Sequence, residues 1–126
     1  MTKKNKEDLS ILKVVDTIVE GIQEKKGSNI TVLDLTSVEN TITSYFVICE
    51  GESNVHADAV AEAVEQYVKE QANEKPFHVE GKENAQWILI DYLDIVVHVF
   101  QKPTRKFYNL ETLWADAPRT DIAALD

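Results

Sequence analysis

The chain predicts an α/β fold, at the border with α+β, built as a mixed sheet of four or five strands carrying two main helices. Three observations lead there. Apolar residues recur at helical spacing in two stretches, around Ile11–Ile22 and Val60–Val68. Short runs rich in β-branched and aromatic residues lie between and after them. One run, Ile95–Phe100, is apolar on both faces, with Ile95, Val97 and Val99 on one and Val96, His98 and Phe100 on the other. A strand of that kind belongs in the middle of a covered sheet.

Each element follows from its residues. Residues 1–8 are polar and expected to fray. Ser10 is the expected cap of the first helix, where Ile11, Val15, Ile18 and Ile22 line one face. Lys25-Lys26-Gly27 is the expected stop, basic side chains before a glycine. Ile30–Leu35 reads as a short strand, residues 36–42 as a connection, and Ser44–Cys49 as a second strand. Gly51 breaks that strand and Ser53 caps the second helix. Alanines at 57, 59, 61 and 63 favour helix and permit close approach to a neighbour. Phe77-His78-Val79 reads as a short edge strand. Gln86–Asp91 and Ile95–Phe100 pair antiparallel around Tyr92-Leu93-Asp94. Pro103 ends the last strand. Helical turns follow over 104–108 and 110–116, the second capped by Asn109. The organisation is one domain over residues 9–116, then a weakly ordered tail over 117–126.

Composition narrows the function. At 126 residues with 44% hydrophobic side chains, one core needs no disulfide. The single cysteine, Cys49, sits in the apolar run YFVICE and suits a reducing compartment. No apolar run approaches the roughly 18 residues of a membrane span. The basic N-terminus lacks the apolar stretch of a signal peptide, so a cytoplasmic location is expected. Net charge is −9, which repels phosphate backbones, predicts little or no direct RNA binding, and favours a basic protein as partner.

The candidates for chemistry are few. Gly51-x-Ser53 joins a strand to a helix start, where free backbone N–H groups suit an anion. A nucleotide-transferring enzyme would use Ser53 there, with Asp91 and Asp94 on Mg2+. The turn lacks the glycine density and lysine of a phosphate-binding loop, and no carboxylate pair follows it. His56, His78 and His98 are scattered, and with one cysteine no zinc spacing exists. No metal or cofactor is expected. Glu80 is open between a loop role and contact with a basic partner. Trp87 alternates with Leu89 and reads as core.

The block from Arg105 to Trp114 is the least self-explanatory. Arg105, Lys106, Tyr108 and Trp114 crowd within ten residues of a strand end. Arg, Tyr and Trp are enriched at binding hot spots. Arg105 forks onto Glu111 internally or onto a partner carboxylate, and Trp114 closes the sheet edge or anchors a partner.

An ordered set of segments carries a resemblance. It comprises Asp34-Leu35, Ser44-Tyr45-Phe46-Val47-Ile48, Gly51-x-Ser53, His56, Glu80-Gly81, Trp87, Asp91-Tyr92-x-Asp94, Val96–Phe100 and Arg105-x-x-Tyr108-x-Leu110-Glu111-x-Leu113-Trp114. Over about Leu9 to Ala115 the chain resembles the ribosomal silencing factor, or Iojap-like, family. One departure is Thr43-Ser44, where many relatives carry Thr-Asp. The resemblance implies a nucleotidyltransferase-like fold without working catalytic residues, and no enzymatic activity. It implies binding to a large-subunit ribosomal protein of the uL14 type at the subunit interface, which blocks joining of the small subunit and represses translation. The alternatives are a divergent nucleotide-binding enzyme and an RNA-associated ribosome assembly factor. A homodimer through a free sheet edge or helix face is a further expectation. The expected partner-binding candidates are His56, Glu80, Trp87, Asp91, Asp94, His98, Arg105, Tyr108, Glu111 and Trp114.

Overall fold

Both helical repeats become long helices in the computed structural model, which describes residues 6–124. Helix α1 spans Lys6–Glu24 and α2 spans Asn54–Ala72. α1 starts four residues before Ser10, which lies inside the helix rather than at its cap. The frayed segment expected over residues 1–8 is therefore helical from Lys6, and residues 1–5 lie outside the described chain. At the other end the left-handed residue is Lys26, with φ 58°, one position earlier than the expected glycine. Lys26 N–H and Gly27 N–H close the helix on the carbonyls of Gln23 and Ile22, at 3.0 and 2.9 Å. α2 starts as expected, with the Ser53 hydroxyl accepting from His56 N–H at 3.0 Å. Asn73 ends it in the left-handed region.

The helices pack closely where their side chains are small. A Cβ on Gly21 of α1 would stand 3.1 Å from the Ala63 carbonyl oxygen and the Val64 Cα of α2. Val15, Ile18 and Ile22 of α1 and Val60, Val64 and Val68 of α2 are buried together on one side of the sheet.

Among the described residues the sheet has six strands, against the expected four or five. They are β1 (Ser28–Asp34), β2 (Tyr45–Gly51), β3 (His78–Glu80), β4 (Trp87–Asp91), β5 (Ile95–Gln101) and β6 (Arg119–Asp121), in the order β3-β4-β5-β2-β1-β6. β6 comes from the segment expected to be a loose tail. It pairs antiparallel with β1, Thr31 opposite Asp121 and Leu33 opposite Arg119. β2 and β5 are parallel and all other pairs antiparallel, so the sheet is mixed as expected. β5 is buried on both faces through Phe100 and lies between β2 and β4, the place its sequence predicted.

Helix α3 (Lys102–Tyr108) follows β5 with no gap, and α4 (Leu110–Leu113) follows α3 after Asn109. Pro103 sits in the first turn of α3, where its missing N–H costs nothing. α4 is shorter than the 110–116 expected. The core is thus split by the sheet. Tyr45, Val47, Cys49, Ile88, Ile90, Ile95, Val97 and Val99 face α1 and α2. Leu33, Leu35, Ile48 and Phe100 face the other way, against Leu110 and Ala117. No helix among the described residues is long and apolar enough to cross a membrane.

Candidate functional site

Strand alternation sends every second residue to the face opposite the long helices. The register places Trp87, Leu89 and Asp91 of β4 beside Phe100, His98 and Val96 of β5. It places Glu50, Ile48 and Phe46 of β2 on the far side of the same three residues. His78 and Glu80 of β3 extend this row opposite Asp91 and Leu89. α3 and α4 cover only one corner of the face, so Phe46, Trp87, Leu89 and Trp114 stay half-buried.

The rings interlock. Phe46 stands edge-on to His98 at 4.6 Å and to Trp114 at 5.8 Å. Trp87 stacks on Phe100 at 4.9 Å and meets Tyr108 at 4.7 Å. Trp87 Nε1–H donates to His98 Nδ1 at 3.1 Å. Trp87 packs half-buried against the second core cluster, on the face away from the long helices. His98 is only 4% exposed, and burial pushes its pKa down to about 3. Beside this patch, Phe107, Tyr108 and Leu113 are 80%, 50% and 71% exposed.

Arg105 resolves onto the fold. Its Nε and one terminal nitrogen each lie 3.0 Å from Glu111 Oε1. That terminal nitrogen also donates to Thr31 Oγ1 at 3.0 Å, and the other donates to Glu50 Oε2 at 3.0 Å and to the Asn29 carbonyl. The three charged side chains are 11–12% exposed. Thr31 in turn donates to Asp121 Oδ1 at 2.7 Å, and Arg119 Nε lies 3.0 Å from the same oxygen. Arg105 and Glu111 thereby tie α3 and α4 to β1, β2 and β6. Their charged ends are turned inward, and they set the position of Tyr108 and Trp114.

The remaining candidates scatter. His56 belongs to the start of α2, where Nδ1 accepts from Glu52 N–H at 2.8 Å and Nε2 donates to the Lys25 carbonyl at 2.6 Å. It pins the β2–α2 turn to the end of α1. Asp91 Oδ1 accepts from Leu93 N–H at 2.7 Å, bracing a turn in which Leu93 has φ 72°. Asp94 is exposed in that turn, and its carbonyl accepts from Ser44 and Tyr45 N–H. Glu80 Oε1 is 2.7 Å from His78 Nε2, both exposed. The structure so gathers Glu80, Trp87, Asp91, His98, Tyr108 and Trp114 on or beside one face, and leaves His56 and Asp94 off it.

The trio for nucleotide transfer does not assemble. Ser53 follows the C-terminal end of β2, whereas Asp91 and Asp94 flank the N-terminal end of the parallel β5. Seven residues of strand separate those ends, roughly 20 Å. Among the described residues no group of three or more His, Cys, Asp or Glu side chains could hold a metal ion. Sequence reading missed Phe46, Leu89, Phe107 and Leu113. The alternation of Phe46 with Ile48, and of Leu89 with Trp87, was the signal for the first two.

Comparison with known proteins adds the lineage. Residues 8–126 match the family model described as "Ribosomal silencing factor during starvation". The chain is 39% identical over 116 residues to the ribosomal silencing factor of Bacillus subtilis, covering 90% of this chain and 92% of that one. It is 36% identical over 114 residues to the Halalkalibacterium halodurans protein of the same name, covering 90% and 96%. A crystal structure from Chromobacterium violaceum superposes with a TM-score of 0.79 at 30% identity, over 83% of this chain and 86% of that chain.

Proposed function

Because the chain belongs to the ribosomal silencing factor family, we propose that it docks on a basic large-subunit ribosomal protein of the uL14 type and sterically blocks subunit joining. The observation that carries this reading is the aromatic face. Half-buried Phe46, Trp87 and Trp114 continue into exposed Phe107, Tyr108 and Leu113. An apolar patch of that kind, rich in Trp and Tyr, is the usual anchor of a protein interface. Asp91 and Glu80 rim it, and the net charge of −9 steers a basic partner toward it. The 14.3 kDa domain then occupies space that the small subunit needs. No bond is made or broken. The action takes place in the cytoplasm, where the subunits meet.

Sedimentation through sucrose gradients with purified subunits tests this. The protein should co-migrate with the large subunit and lower the yield of joined ribosomes as it is added. Absence from the large-subunit fraction at both low and high salt would remove the proposal. Retention on naked ribosomal RNA instead would favour an assembly factor, a reading that the −9 charge opposes.

A further inference from the structure

One buried polar atom of the open face lacks a hydrogen-bond partner among the described residues. His98 Nδ1 accepts the Trp87 indole proton, so the neutral imidazole carries its own proton on Nε2. That Nε2–H is buried and has no hydrogen-bond partner among the described residues. Rings surround the imidazole, centroid to centroid: Phe46 edge-on at 4.6 Å, Trp87 at 5.9 Å and Phe100 at 6.1 Å. A buried donor without an acceptor is disfavoured, and native proteins satisfy nearly all of theirs. The imidazole lies between Leu89 and Ile48, in the middle of the face that the long helices leave uncovered.

Resting on the docking reading above, we propose that His98 Nε2–H is a recognition donor, and that its acceptor is a backbone carbonyl oxygen of the docked basic protein. Two features choose a neutral acceptor. Apolar rings surround the site, and burying a carboxylate among them is costly. The chain's −9 charge also repels an acidic group on approach. Burial already holds the ring neutral, with a pKa of about 3, so the donor is present across the physiological range. Phe46, half-buried and packed edge-on against the imidazole, turns aside to admit the oxygen. Side-chain rearrangements of this size are common when interfaces form. Replacing His98 should therefore weaken binding although it changes no charge and almost no exposed surface.

The test combines two readouts with the purified uL14-type protein as probe. Protein labelled with 15N in its imidazoles is titrated with that probe while the His98 Hε2 resonance is followed. Affinities are measured for the wild type, His98→Phe and His98→Gln. The resonance should move downfield in the complex with the ring still neutral. His98→Phe keeps a planar ring but loses both the Nε2–H donor and the acceptor of the Trp87 indole proton, and should bind about tenfold more weakly, about 1.4 kcal/mol. His98→Gln, whose amide N–H reaches the same place, should recover most of that loss. An unmoved Hε2 resonance in a formed complex, or His98→Phe binding as the wild type does, overturns the donor role and leaves the docking reading intact. A charged His98 in the complex overturns the carbonyl and assigns a carboxylate. Failure of the wild type to bind the probe sinks the docking reading itself, and this role with it. Should His98→Phe not fold, the resonance and the glutamine variant decide.

Discussion

Arg105→Ala would remove the guanidinium that joins three strands to two helices. Each of its nitrogens is engaged, and two carboxylates face it at 3.0 Å with side chains 11–12% exposed. The substitution leaves Glu50 and Glu111 buried beside each other's neighbours with no cation between them. Breaking a buried pair in this way costs about 3–5 kcal/mol, most of it from the charge left uncompensated. A domain of this size holds about 5–15 kcal/mol in all. With a urea dependence of about 2 kcal/mol per molar, the unfolding midpoint should fall by roughly 2 M. Tryptophan fluorescence is a suitable probe, because Trp87 and Trp114 both lie on the face that α3 and α4 border. A control separates charge from packing. Arg105→Met combined with Glu50→Gln and Glu111→Gln removes all three charges and should regain most of the loss. If Arg105→Ala unfolds within about 1 kcal/mol of the wild type, or the triple variant is no better than the single one, the network is not what holds the C-terminal block.

Three further outcomes follow from buried groups and one turn. Unfolded His98 takes up a proton below its ordinary pKa of 6.5, and the folded ring only near 3; the wild type should therefore lose stability as pH falls through that window, by up to a few kcal/mol, and His98→Phe should flatten this part of the pH profile of urea midpoints. Burial pushes the Cys49 thiol up to about 12, so Ellman's reagent at pH 8 should react only through the unfolded fraction, some 10^3-fold or more below the rate in urea; a fast native reaction would contradict the burial. Gly81 has φ 88°, and a Cβ there would stand 1.9 Å from the Trp87 carbonyl oxygen, so Gly81→Ala should cost about 2 kcal/mol or more by calorimetry; a neutral result would mean that this turn relaxes freely.

Local signals carried much of the fold. The doubly apolar Ile95–Phe100 run marked the central strand because burial on both faces leaves no polar alternation to obscure it. Ser53 was readable because its cap is made with His56, three residues away. β6 was not readable: three exposed residues have no periodicity, and their strand character comes from pairing with Thr31, 90 positions earlier. Ser10 misled because a capping residue type is also tolerated inside a helix. At the site, composition flagged Arg105, Tyr108 and Trp114 together. It did not separate the inward Arg105 from the outward Tyr108, because that difference depends on Glu50, 55 positions upstream. The same long range hid Phe46, whose place beside His98 and Trp114 exists only once β2 lies against β5.

The parallel pairing of β2 with β5 also governs how the chain reaches its shape. Each of the seven pairs joins residues fifty positions apart, Tyr45 to Ile95 at one end and Gly51 to Gln101 at the other. That contact closes a loop containing α2, β3 and β4, so its entropy cost falls due before the centre of the sheet is formed. A growing chain has no finished core until residue 101 is free to pair, late in the 126 residues. The helices and the β4–β5 hairpin rest on local contacts, whereas the centre of the sheet requires this long-range pairing. A chain truncated before β5 should therefore not yield a smaller stable version of this domain, but an open assembly of parts with its central seam unmade.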